Sequence, residues 1–206
     1  MSTTMPCATR ASATPPAATG AGRTLELVAP DHPERASLEA FIAAEFARVY
    51  GATLLHFCHT LAGRRDSAGR WVAALGYSLA GEGRLFLEHY LDGPVETEIG
   101  ARTGRPVARG SIVEVGNLAS TDAGAARALI VAMTHQLHCQ GLVWVTFTAT
   151  RALLNSFARL RLAPSVLADA DPARLGQAQG AWGSYYATHP QVMFGNIGFG
   201  HDQLAR

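Results

Sequence analysis

A glutamate stands inside an apolar stretch of this chain. In SIVEVGNLAST (111–121), Glu114 is flanked by Val113 and Val115. Ile112, Val113, Val115 and Leu118 alternate with polar residues as a strand does. A carboxylate in an interior strand loses hydration and needs a partner or a proton. Such a Glu can hold a substrate amine or act as a base whose pKa burial has raised. An outward-facing residue, or a structural partner for an arginine, is the competing reading. The strand ends in Thr121-Asp122-Ala123-Gly124, which opens a helix. The free amides and dipole of a helix start favour an anion, small Gly124, Ala125 and Ala126 leave it room, and Arg127 adds positive charge. With Asn117, Leu118 and Ser120 of the strand, these residues are the candidate contacts for a phosphate-bearing co-substrate; a plain strand-to-helix connection explains the turn equally well.

A second set follows the run LVWVTFTA (142–149). Ligands of such sheets bind beyond the carboxyl ends of strands, which makes Thr148, Thr150, Arg151 and Asn155 candidate cleft residues, or else caps and surface side chains. Arg151 suits phosphate or carboxylate recognition. LFLEHYLD (85–92) brings Glu88, His89, Tyr90 and Asp92 together, and as a strand it would show Glu88, Tyr90 and Asp92 on one face. Glu88 and His89 are further acid–base candidates. His56 and His59 would point to opposite faces of a strand. His135 and His138 are helical neighbours without a third metal ligand, so no metal site is expected. Ser120 and Ser156 lack a nucleophile-elbow context, and the chain has no lysine for Schiff-base chemistry.

The elements that must position these residues follow from periodicity. Helix is expected from Pro33 to Tyr50, with Asp31 as cap and Gly51 as stop, and Leu38, Phe41, Ile42, Phe46 and Val49 on one face. Strands 53–62 and 70–80 read as a hairpin across GRRDSAG. Strand 84–92, a helical stretch after Pro94, strand 111–121, helix 123–140 stopped by Gly141, strand 142–149, helix 150–162 and strand 164–170 complete the series. WGSYYATHPQVMFGNIGFG is aromatic and glycine-rich, with no clear period. The order predicts a mixed α/β sheet with helices on both faces.

Composition bounds the function. The chain has 206 residues, 48% hydrophobic and 16% charged, with a net charge of +1, enough for one core and without a field that would recruit nucleic acid. Residues 1–22 read as a disordered tail ahead of a single domain over 23–206. Cys7, Cys58 and Cys139 form neither a disulfide nor a zinc pattern. There is no apolar run for a signal peptide or membrane span, so a cytoplasmic setting is expected.

YGA (50–52), WVAALGY (71–77), LFLEHYLD (85–92), IVEVGNLAS (112–120), WVTFTATRALLNSFARLRL (144–162) and WGSYY (182–186) together resemble the bacterial thermostable hemolysin family, in order and over about residues 25–200. That family's pattern is similar to the GNAT acyltransferases and distantly to the acyl-homoserine lactone synthases. The resemblance implies a GNAT-like, mostly antiparallel sheet flanked by helices. It also implies an acyltransferase that moves an acyl group from acyl-CoA or an acyl carrier protein, whose phosphopantetheine is the co-substrate, to a small amine or amino-acid-like acceptor. Glu114 then positions or deprotonates the amine, and Gly124–Arg127 lie where the donor's pyrophosphate or pantetheine is held. Asn155 falls where many GNAT enzymes contact the pantetheine arm. Phe157 lies near the usual position of a tyrosine that protonates the leaving thiolate. Two departures stand out: TDAGAAR keeps only Gly124 of the glycine-rich signature, which makes a carrier-protein donor plausible beside CoA, and Gly116-Asn117 replaces the synthases' Ser-Arg, so lactone formation is not implied. The family's name points to a rival reading as a membrane-active cytolysin, and a non-catalytic acyl-binding module is a third.

Overall fold

The strands that hold the expected site residues form one sheet in the computed structural model, which describes residues 25–205. They are β1 (Glu26–Val28), β2 (Thr60–Arg65), β3 (Trp71–Leu79), β4 (Ile112–Ser120), β5 (Trp144–Ala149), β6 (Ser165–Asp169) and β7 (Gln191–Asn196), in the order β1-β2-β3-β4-β5-β7-β6. Neighbours are antiparallel except β4 and β5, which run parallel. The segment expected as a disordered tail lies outside the described residues.

Side-chain alternation along the strands feeds two cores. On one face Ala74 and Ala119 pack with Leu38, Ile42 and Phe46 of α1 (Arg35–Tyr50). On the other, Ala73, Leu75 and Val113 pack with Leu129, Met133 and Leu137 of α3 (Ala123–Cys139). The helix α2 (Val95–Thr103) joins Ile112, Trp144 and Phe194 on the α1 face. The helices α4 (Arg151–Arg159) and α5 (Ile197–Leu204) complete the α3 face, with Leu153 and Phe157 against Phe147 and Met193. Gly51 stops α1 as expected: it takes the left-handed conformation at φ 65° and its N–H donates to the Ala47 carbonyl. The start of that helix differs, at Arg35 with Glu34 as an N-cap that makes no side-chain bond.

Two expected strands are corrected. The first strand of the hairpin is 60–65 rather than 53–62. The Asp66 carboxylate accepts from the Ala68 and Arg70 amides and Gly69 adopts φ 78°, so the turn tightens to 66–69 and the strand claims Gly63–Arg65. Residues 84–92 are not a strand. Phe86–His89 is a 3-10 helix, because two carboxylates collect its amides: Glu88 accepts from Leu85, and Glu114 from Phe86 and Leu87. Glu88, Tyr90 and Asp92 therefore do not share a strand face. The unassigned C-terminal region supplies β7, inserted between β5 and β6.

Candidate active site

The ladder between β4 and β5 is short. It begins at Ile112 opposite Trp144 and ends at Glu114 opposite Thr146. Beyond it the strands separate and a cavity of about 270 Å³ opens between them. Antiparallel pairing on the far side of β4 shifts between Ala74 and Gly76, so β4 carries a bulge at Asn117–Leu118, which bends the strand. Asn117 adopts φ 52°, and its side chain ties down the preceding loop by accepting from the Cys58 amide at 2.9 Å and donating to the His56 carbonyl at 3.2 Å. Gly76 is needed there, since a Cβ would lie 2.6 Å from that of Cys58.

Glu114 sits where the ladder ends, 6% exposed, its carboxylate on the α1 side of the sheet. Oε2 accepts from the Phe86 amide at 2.7 Å and Oε1 from the Leu87 amide at 3.1 Å. Burial outweighs these two bonds and, with nearby Glu88, pushes its pKa up to about 7. A carboxylate so poised exchanges a proton near neutrality.

The cavity has two ends because it passes through the sheet. On the α1 face it is aromatic: Tyr50, His56, Phe86, Tyr90, Trp182 and Tyr185 line it with Glu114. The Trp182–Tyr185 segment is fastened to the end of α1, Thr53 N–H donating to Ala181 and Ser184 N–H to Tyr50. Contact is so close that a Cβ on Gly183 would lie 2.1 Å from the Tyr50 carbonyl oxygen. On the α3 face the lining is mostly aliphatic, from Ile130, Met133 and Leu137 of α3, Val145, Leu162 and Ile197, with Phe147, Phe157 and Phe199 beside them. The polar groups at that end are satisfied internally: the Thr134 hydroxyl donates to the Ile130 carbonyl, and Asn196 caps α5 by accepting from Phe199.

The expected site residues divide. Glu114, Asn117, Leu118 and Thr148 line the cavity, as does Thr150, whose Oγ1 caps α4. Glu88 does not: it accepts from the Leu85 and Val95 amides and is paired with Arg109 at 2.7 Å. Burial works against its charge, yet Arg109 and those amides hold its pKa down to about 2. Glu88 braces the turn that serves Glu114. His89 is exposed, its Nδ1 bonded to the Phe86 carbonyl. Ser120 lies on β4 beyond the lining. Gly124, Ala125, Ala126 and Arg127 form the start of α3 away from the cavity wall, and Asp122 already accepts from the Ala125 amide at 2.8 Å. Arg151 and Asn155 are exposed on α4 and outside the cavity. Phe157 lines it as an apolar wall, its ring 5.1 Å from that of Phe147. Of the C-terminal aromatics, Tyr185 and Phe199 line the cavity at its opposite ends; Tyr186 and Phe194 do not line it. His135 and His138 meet His201, but no group of three or more His, Cys, Asp or Glu among the described residues is arranged to hold a metal.

Sequence reasoning missed Tyr50, His56, Phe86 and Trp182, which come from separated segments. The resemblance strings YGA, LFLEHYLD and WGSYY contained Tyr50, Phe86 and Trp182 without assigning them a role.

The sequence pattern of the family described as Thermostable hemolysin matches residues 28–201. The chain belongs to the thermostable hemolysin family. No curated protein matches this family member by sequence. Among solved structures this hemolysin-family chain is similar to TofI, solved in a ternary complex with an inhibitor and MTA, at 12% identity and a TM-score of 0.58, covering 84% of this chain and 91% of that one. It is similar to the AHL synthase LasI at 9% identity and a TM-score of 0.58, covering 86% and 91%. It is similar also to FeeM, an N-acyl amino acid synthase from uncultured soil microbes, at 13% and 0.54, covering 87% and 95%. The fold of this thermostable hemolysin family member is the GNAT-like one the resemblance implies. Among its described residues no helix is long and apolar enough to cross a membrane.

Proposed function

We propose that this protein is an N-acyltransferase that moves an acyl group from a thioester, carried by CoA or an acyl carrier protein, to a small amine. One observation carries the reading: a buried carboxylate poised near neutrality stands where β4 and β5 part, between an aromatic chamber and an aliphatic one. The aliphatic chamber takes the acyl chain, and the gap between the strands takes the thioester. Among the described residues β4 pairs with no strand on the β5 side beyond Glu114, so the amides on that edge lie outside the ladder and can polarise the thioester carbonyl. Glu114 receives the proton as the amine nitrogen attacks. The C–N bond forms, the C–S bond breaks, and the thiolate leaves to be protonated from solvent. The activities named for LasI and FeeM, syntheses of acyl conjugates, accord with this chemistry.

Asn117, Leu118 and Thr148 flank the thioester arm in this scheme. Asp122 engages the Gly124, Ala125 and Ala126 amides, so Arg127 is left to meet the donor's phosphate at the surface, with Ser120, Arg151 and Asn155 along its approach. The test is free-thiol release from acyl-CoA and acyl-carrier-protein donors with a panel of amines. Release that depends on both donor and amine, and is lost in Glu114→Gln, supports the assignment. No turnover with any donor, together with lysis of liposomes by the same preparation, overturns it in favour of a cytolysin.

A further inference from the structure

The aromatic chamber constrains the acceptor more tightly than "small amine". His56 stacks on Phe86 with ring centroids 5.0 Å apart, and Phe86 is 5.8 Å from Trp182. Trp182 lies 5.3 Å from Tyr185, and Tyr185 is 5.2 Å from Tyr50. Together with Glu114 they present π faces and one acid, a combination that attracts an ammonium and packs an apolar body.

No described residue lining the cavity is an arginine, and the chain has no lysine. Of the arginines close to these walls in the sequence, Arg48 is bound to Glu45, and Arg84 and Arg151 are exposed and do not line the cavity. Arg35 is bound to Glu39 and to the Cys58 and His59 carbonyls. Arg109 is held by Glu88, Glu96 and two carbonyls. Arg174 pairs with Asp92. Among the lining residues the one side chain able to become a cation is His56, and burial, with the nearby charge of His89, disfavours its protonated form. Two of the chamber's hydroxyls are also engaged: Tyr90 with Tyr186 at 2.5 Å, and Tyr50 with Thr150.

An α-amino acid entering this chamber would bring a carboxylate beside Glu114 without a cation to receive it. The desolvation cost and the like charge both act against it. We infer that the acceptor is a primary amine on an aromatic or otherwise apolar body, without a carboxylate next to the nitrogen. This rests on the acyl-transfer reading and narrows it to arylalkylamine-like substrates over free amino acids.

The experiment uses matched pairs on the full chain: phenethylamine against phenylalanine, tyramine against tyrosine, tryptamine against tryptophan. Initial thiol release is measured with whichever donor turns over, and binding of each compound alone by calorimetry. The amines should exceed their amino acids in kcat/KM by about 100-fold or more, the scale on which an unsatisfied polar group is rejected by a closed site. Amino acids that match or beat their amines would overturn the inference. If no acceptor supports thiol release, the transfer reading falls, and calorimetry decides the chamber separately. Binding of the amines alone then upholds the chamber's selectivity for amines over amino acids, while equal binding of both classes, or of neither, overturns it.

Discussion

The two ends of the cavity are built by opposite means. The aromatic end is assembled from α1, the loop at 56–58, the 3-10 helix Phe86–His89 and the segment around Trp182, fastened by main-chain hydrogen bonds, with a buried acid at its centre. The aliphatic end lies between α3, α5 and the sheet, and its few polar groups are turned inward to their own backbone. On the proposed acyl-transfer reading, the difference separates chemistry from chain recognition. One end depends on where protons and charges stand, and the other on volume alone.

That separation can be broken experimentally. Glu114→Gln removes the proton acceptor and is expected to lower kcat/KM by about 1,000-fold while donor affinity changes little, measured by thiol release and donor titration. Glu88→Gln should leave Arg109 and the turn at 85–88 short of a partner and destabilise the fold by about 3 kcal/mol, read from urea denaturation. Because the folded pKa of Glu88 is depressed to about 2, its contribution is present above its ordinary value near 4.5 and is lost as the pH falls toward 2. The Glu88→Gln variant should therefore lose the acid-dependent part of that stability.

Gly183→Ala places a Cβ against the Tyr50 carbonyl at a positive φ of 52°. A loss of about 2 kcal/mol is expected by the same denaturation assay, with KM for the amine raised and KM for the donor unchanged. At the other end, a Cβ on Gly200 would meet Leu162 and Thr134 at 3.7 Å, ordinary contact, so a larger side chain projects into the aliphatic chamber. Gly200→Leu should reduce kcat/KM for long acyl donors by about 10-fold and spare short ones, measured across a donor series. If it instead affects every chain length alike, the two ends are coupled and the comparison fails.

The pH profile sharpens the same contrast. Glu114 must be ionised to take a proton, so kcat/KM should rise with pH and level off above about 7. For stability the sign is reversed. The raised carboxyl favours the folded state below its ordinary pKa near 4.5, and that advantage is lost as the pH rises through about 7.

Glu114 was legible in the sequence because a charged residue between two valines in an alternating strand breaks a strong local rule. The main helices were legible too, through their apolar stripes and through Gly51 and Gly141 as stops. Local pattern also gave the α/β class and the buried character of β5. What it misjudged were places where a distant group decides a local conformation. Residues 85–89 have strand-like alternation but coil into a 3-10 helix, because the carboxylate of Glu114, on another strand, binds two of their amides. Glu88 looked catalytic until Arg109 was brought against it. The TDAGAAR turn looked ready for an anion, but Asp122 satisfies part of it.

The sequence by itself determined the main helices, the central strands and the acid at the heart of the sheet, because periodicity and burial preference act within a few residues, while the family was legible through its motifs. Only the tertiary structure decided which side chains face that acid. Tyr50, His56, Phe86 and Trp182 are far apart along the chain, and they converge because main-chain hydrogen bonds from 53 to 181 and from 184 to 50 close a long loop over the gap between β4 and β5. Long-range closure of that kind leaves no periodic trace in any one segment.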